Sequence, residues 1–315
     1  MRIALTGATG LLGGALMDSF VRAGHQVRAW VRSSCSLPRG VVALHGDLAN
    51  PDTFPPLVRG VDALVHCAWQ RQDPEDSAEK IPWVNLMGTL GLIEVAQSHG
   101  VGRILVFLDS RPDAGEFQPA PSEGWFRSTP QSPGTATQAA IEAYVHGLAR
   151  REGWPVLAMA LDSLYGTRRG RILPSYLEAM AKKSYHREEI RCLFNPGGYV
   201  HRRDIAAAVN LLLAQPAGTV EGRTFGCGDL WLDPYNLADL LDEIVGTLPE
   251  CQVSIPPCRV DCSGLRRLGW SPGGQPLLRA ELERWILETG HCRRPGDPRG
   301  PEPKPVQPSG GPTPP

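Results

Sequence analysis

The sequence predicts an α/β protein in which a doubly wound parallel sheet is followed by a smaller C-terminal lobe. Three observations lead there. Apolar runs rich in β-branched residues alternate with helix-period segments through the first half. A glycine-rich turn joins the first of these runs to the first helix. After Gly166 the alternation breaks into shorter helices and strands carrying Arg, Tyr and Trp, which reads as a second lobe folded against the sheet edge.

In order, RIAL, QVRAWV, VVALHG, ALVHCA, RILVFL and PVLAMAL read as successive strands. Between the first two, Leu12, Leu16 and Phe20 recur at helical spacing and give one apolar stripe. A second helix follows Pro82, carrying Val84, Leu86, Leu90 and Ile93 to the stop signal at Gly100. From His291 to Pro315 the chain is rich in Pro and Gly without apolar period, so a disordered or polyproline tail is expected over 291–315.

Lys+Arg of 32 against Asp+Glu of 33 gives a formal charge of -1, so no global field favours nucleic acid or an anionic membrane. A small molecule is the expected partner. The N-terminal MRIALTGATG leaves no room for a signal-peptide core, and no later run approaches membrane-spanning length. A cytoplasmic protein is expected, with its 8 cysteines as reduced thiols. Cys251, Cys258 and Cys262 do not follow a zinc spacing, and no metal is expected.

The segment RIALTGATGLLGGAL is a strand, a turn and the start of a helix, with Gly7, Gly10 and Gly13 spaced GxxGxxG. Gly7 permits the tight turn, Gly10 lets the backbone approach a pyrophosphate, and Gly13 lets the helix close on the strand. Thr9, Leu11 and Leu12 lie among them, where helix N-terminal N–H groups point at phosphate. The pattern indicates a Rossmann dinucleotide site. At the end of the second strand, Val31-Arg32-Ser33-Ser34 stands where a carboxylate would accept from the ribose hydroxyls. Arg32 and Ser33 suit a 2′-phosphate instead, which favours NADP(H) over NAD(H). The NAD(P)-binding domain is drawn at residues 1–165, and the substrate lobe, interleaved with it, at residues 166–290.

With these residues in place the sequence resembles the extended short-chain dehydrogenase/reductase family, which includes sugar-nucleotide epimerases and dehydratases. The resemblance covers nearly all of the chain except the tail. It implies that Asp47-Leu48 contact adenine, that His66-Cys67-Ala68, followed by Trp69, form the cofactor-side strand end, and that Asn85-Leu86-Met87-Gly88-Thr89 is the family's helix motif. VHRRDIAAAV (Val200 to Val209) and LGW (Leu268 to Trp270) look like its later motifs. A homodimer built on the two long helices is a further implication.

The family moves protons with a Tyr and a Lys four residues apart on one helix, assisted by a Ser. Four residues is about one helical turn, so both side chains face one site. Ser110 fits the serine position, but in TPQSPGTATQAAIEAY the Tyr position holds Gly134 and the Lys position Gln138. No Tyr in the chain is followed four residues later by a Lys. Gly134 offers neither acid nor base, and Gln138 can bond a ribose but brings no charge. Ala160-Leu161-Asp162-Ser163 departs from the family's Arg-Pro pair, so the substrate entrance has changed as well. Tyr144 and His146 are expected to pack or lie at the surface, and His201 and Asp204 to tie the lobes together. Three readings stay open: an atypical NADP(H) enzyme performing a non-standard reduction or a non-redox cyclisation or elimination, an inactive NADP(H) sensor or regulatory subunit, and an ordinary reductase or epimerase.

Overall fold

The computed structural model describes residues 1–70, 80–110, 132–168, 170–185, 196–245 and 254–289. The expected tail over 291–315 lies outside them. Strand β1 (Arg2–Thr6) leads through the glycine turn into α1 (Leu11–Arg22), followed by β2 (Gln26–Val31), β3 (Val41–His45), α2 (Phe54–Val58) and β4 (Ala63–His66). Next come α3 (Lys80–Ser98), β5 (Arg103–Asp109), α4 (Pro133–Glu152) and β6 (Val156–Leu161). The second half supplies β7 (Ser163–Arg168), β8 (Arg171–Leu173), α5 (Ser175–Tyr185), β9 (Gly197–His201), α6 (Arg202–Leu213) and β10 (Thr224–Cys227). The last elements are β11 (Leu230–Leu232), α7 (Pro234–Val245), α8 (Ser263–Arg267) and α9 (Gly274–Thr289).

All six strands read from the sequence form, and they build a seven-stranded sheet in the order β10-β6-β5-β4-β1-β2-β3. Every pairing in it is parallel. The order reverses between β1 and β4, so the connecting loops part there and open a crevice at the C-terminal edge. The seventh strand, β10, returns from the second half to lie beside β6. Four further strands form a smaller sheet in the order β11-β9-β7-β8. Asp162 is the one residue between β6 of the first sheet and β7 of the second.

Apolar side chains gather in three cores. One lies between the sheet and the α1 and α6 face, one between the sheet and the α2, α3 and α4 face, and one inside the second lobe. Fully burying a Leu or Phe of these clusters contributes roughly 1.5–3 kcal/mol. The α3 stripe differs from the one read in the sequence. The helix begins at Lys80, ahead of Pro82, a first-turn position where a missing N–H costs nothing. Leu92 and Ala96 join Val84 and Ile93 in the core, while Leu86 and Leu90 are half-buried. The turn of the stripe follows from Asn85 and Thr89, polar residues that α3 also points inward.

Candidate functional site

The glycine turn is built by backbone contact. Gly7 takes the left-handed conformation at φ +64, and a Cβ there would lie 2.7 Å from the Cys67 carbonyl oxygen. A Cβ on Gly13 would lie 2.1 Å from the Gly7 oxygen, so α1 closes directly onto the turn. Thr9 and Gly10 are exposed at its top and Leu11 and Leu12 half-buried beside it. These cradles, which any side chain would fill, fit the pyrophosphate of a dinucleotide.

Threonine and histidine fix the neighbouring strand end. Thr6 Oγ1 accepts from the Ala68 N–H at 3.0 Å and meets His66 Nδ1 at 2.8 Å. His66 Nε2 in turn meets Thr89 Oγ1 at 3.0 Å. Burial pushes the His66 pKa down to about 4, so the ring is neutral and structural. Asn85 donates to the Gln70 carbonyl at 2.9 Å and accepts from the Gln70 N–H at 2.8 Å, which seats the loop carrying Cys67, Ala68 and the exposed Trp69. Burial also raises the Cys67 thiol well above its ordinary value, leaving it protonated.

Beyond β2, Arg32 and Ser33 stand exposed, and Arg32 makes no hydrogen bond or ion pair among the described residues. Leu48 is buried, and the Asp47 carboxylate accepts from the Ala49 N–H at 2.9 Å, closing its own turn.

The corner between β5, α4 and β6 is wired differently. Ser132 caps α4 by accepting from the Thr135 N–H, with Pro133 following at the first helical position. This puts Gly134 in the first turn, exposed, with only Ser132 Oγ, at 3.7 Å, within reach of an added Cβ among the described residues. Gln138 turns back onto the sheet, its Oε1 accepting from the Asp109 N–H at 2.7 Å. Ser110 is buried, and its Oγ donates to Asp162 Oδ1 at 2.5 Å. The Asp162 carboxylate lies between two glycines of the second lobe. A Cβ on Gly198 or on Gly228 would fall 2.1 Å from its Oδ2.

Other groups resolve as structural. His146 meets the Gly222 oxygen at 2.7 Å and Thr224 Oγ1 at 3.0 Å, and Glu142 accepts from Thr224 at 2.6 Å, so α4 is clamped to β10. His201 is fully buried ahead of α6, and Asp204 accepts from the Gly273 N–H at 3.0 Å. Tyr144 is exposed on α4, while Tyr165 and Tyr199 lie in the second-lobe core. Tyr165 is fully enclosed there, and burial drives its phenol above the tyrosine range. Among the described residues no group of three His, Cys, Asp or Glu side chains is placed to hold a metal, and no helix is long and apolar enough to cross a membrane.

The sequence points to Thr89 only as part of the helix motif and to Asp162 only as part of a changed substrate entrance, and it gives no signal for Thr6. Asp162 had a visible signal, a charge closing the wholly apolar strand VLAMAL. Its partner became known only when β5 and β6 were paired.

Known proteins share this architecture. The chain is 34% identical over 158 residues to the 2-alkyl-3-oxoalkanoate reductase of Stenotrophomonas maltophilia, an alignment covering 46% of each chain, so it spans about half of that relative. It is 30% identical over 115 residues to the photosystem II assembly factor Ycf39 of Trieres chinensis, covering 35% of each. With the 3 beta-hydroxysteroid dehydrogenase/Delta 5-->4-isomerase of Mycobacterium tuberculosis it shares 24% identity across 91% of this chain and 82% of that one. Among solved structures, the UDP-glucuronic acid 4-epimerase of Bacillus cereus superposes with a TM-score of 0.73 at 18% identity, over 91% of this chain and 99% of that one. The UDP-glucose 4-epimerase of Thermotoga maritima gives 0.72 at 19%, over 92% and 99%. Both likenesses speak to the fold. Residues 3–228 match the model of the NAD dependent epimerase/dehydratase family, and with the glycine turn, sheet order and strand-end network in place the chain belongs to that family.

Proposed function

We propose that this chain binds NADP(H) and acts on a small carbonyl or secondary-alcohol substrate by a proton route that runs through Ser110 and Asp162 in place of the Tyr/Lys pair. The observation that carries the reading is the 2.5 Å bond from Ser110 Oγ to Asp162 at the joint of the two lobes. The nicotinamide, held at the glycine turn and the Cys67–Ala68 strand end, would supply or take up hydride at the substrate carbon. In the oxidising direction, the substrate hydroxyl proton passes to Ser110 Oγ as the Ser110 proton passes to the Asp162 carboxylate. In the reducing direction the same protons run back from a protonated Asp162. Arg32 would meet the 2′-phosphate, and Gln138, engaged with the Asp109 backbone, would bring no charge to the ribose.

A 3-oxo acid or an oxo-steroid is the substrate class to test first, because a 2-alkyl-3-oxoalkanoate reductase and a 3 beta-hydroxysteroid dehydrogenase are among the relatives. A homodimer on α3 and α4 belongs to the same reading, supported by Trp83, Met87 and Tyr144, large side chains exposed on those helices. A second reading, an NADP(H)-binding protein without turnover, is favoured by the fact that Ser110 and Gln138 are both satisfied by protein groups.

The deciding experiment follows NADPH oxidation with such ketones in wild type, Ser110→Ala, Asp162→Asn and Arg32→Ala. Turnover that falls about a hundredfold or more in the first two variants, as loss of a positioned acid–base group predicts, supports the route. Turnover indifferent to both overturns it, and NADPH binding without turnover selects the second reading. Arg32→Ala should weaken NADPH by about tenfold or more and leave NADH unchanged, as loss of a charge-assisted bond predicts.

A further inference from the structure

The α1 and α6 face of the sheet lies opposite the α3 and α4 face, and it holds a cleft of about 380 Å³. Arg168 of β7, Arg202 of α6 and Arg284 of α9 line it, together with Asp18 of α1 and Glu288 of α9. The Nε atoms of Arg202 and Arg284 are both enclosed, and neither has a hydrogen-bond partner among the described residues. Arg284 Nε is 4.0 Å from Glu288, beyond hydrogen-bond reach.

Arg202 is held in place by shape. Its stem packs on Gly166, where an added Cβ would come within 2.9 Å of Arg202 Cδ. Arg284 is anchored by donating to Thr167 Oγ1 at 2.8 Å and to Glu281. Glu281 is already occupied, since its Oε1 accepts from the Thr167 N–H at 2.7 Å and from Thr167 Oγ1 at 2.6 Å, and lies 3.5 Å from His201 Nε2. Burial pulls the Arg202 pKa down, while the Glu281 and Asp18 charges act the other way. The result is a buried network that supports two guanidinium groups without using all of their donors.

We propose that this cleft is a ligand site for a small phosphorylated molecule, with its phosphate bridging Arg202 and Arg284 and its hydroxyl or ammonium groups facing Asp18 and Glu288. A phosphate offers several acceptor oxygens to planar guanidinium donors, and the two carboxylates select a molecule that also brings donors over a bare anion. Helix α1 joins the two sites, because its first turn closes onto the glycine turn and Gly14, Met17 and Asp18 further along it wall the cleft.

The test is calorimetric titration of glycerol 3-phosphate, with inorganic phosphate alongside, into the full chain saturated with NADPH so that the glycine turn is occupied. Saturable binding of glycerol 3-phosphate is expected, tighter than that of phosphate, and weakened about tenfold or more in Arg202→Gln and in Arg284→Gln, as loss of a charged hydrogen bond predicts. Circular dichroism identifies any variant that has lost its fold, and the other then decides. No saturable binding to wild type at millimolar concentrations, or equal affinity in the folded variants, overturns the proposal. A chain that fails to bind NADPH counts against the cofactor reading alone, because sensitivity to Arg202 and Arg284 still decides this one.

Discussion

The glycine turn after β1 and the β5–α4 corner sit on the same edge of the same sheet, and they hold their shape by different means. At the turn, backbone meets backbone: the space beside Gly13 is filled by the Gly7 carbonyl and that beside Gly7 by the Cys67 carbonyl. At the corner, side chains meet across strands, with Ser110 on Asp162 and Gln138 on the Asp109 amide. A backbone-made site tolerates no change at its glycines and keeps its chemistry wherever the fold survives. A side-chain site can exchange its reactive groups while the fold stays as it was, and on the proposed reading Gly134 and Gln138 stand where a phenol and an ammonium would be.

The largest effect that would sharpen this contrast belongs to Gly13→Ala. The new Cβ has nowhere to go, because the atom it meets at 2.1 Å is backbone. Overpacking of this kind costs about 3 kcal/mol or more where backbone must shift. Urea denaturation should show that loss, together with loss of NADPH binding. A variant of wild-type stability would mean that α1 can move off the turn, and the two regions would then differ less than their contacts indicate.

The second effect tests His66, which ties β1, the strand that leads into the glycine turn, to α3 through Thr6 and Thr89. Its native pKa is lowered from 6.5 to about 4 by burial. Between those values the unfolded chain binds a proton that the native ring refuses, so stability is fully present above pH 6.5 and declines as pH falls toward 4. The loss amounts to about 3 kcal/mol over that window. His66→Gln, which keeps hydrogen-bonding capacity without titrating there, should flatten that part of the stability–pH profile. An unchanged profile would show that other groups set the acid limit.

How far each region was legible in the sequence follows from the same contrast. Gly7, Gly10 and Gly13 announce their site because steric need leaves only glycine at fixed spacing, and the interior apolar strands announce the sheet because burial on both faces demands continuous runs, the edge strand β3 being largely exposed. The corner was legible only as an absence, Gly134 and Gln138 in place of two expected side chains. Its own chemistry was not, because Ser110 and Asp162 lie 52 residues apart and meet only through the pairing of β5 with β6. Likewise β10 joins the first sheet from the far side of the second lobe, a crossover no local pattern encodes. The α3 stripe was misread at Leu90 for a related reason: hydrophobic period cannot see that His66 and the Gln70 backbone draw Thr89 and Asn85 inward.

The smallest effect concerns Gly134. If this glycine merely marks a vanished side chain, it differs in kind from Gly13, and the same substitution should change stability with the opposite sign. An added Cβ meets nothing closer than Ser132 Oγ at 3.7 Å among the described residues, an ordinary contact. The residue lies in the first turn of α4, where Ala loses less backbone entropy on folding than Gly. Gly134→Ala should therefore raise stability by about 0.5 kcal/mol, read as a higher urea midpoint at constant slope, with NADPH affinity unchanged. A loss of about 1 kcal/mol or more would overturn the comparison. It would show that something in the folded chain comes close to this backbone, and that the glycine is required there as Gly13 is in its turn.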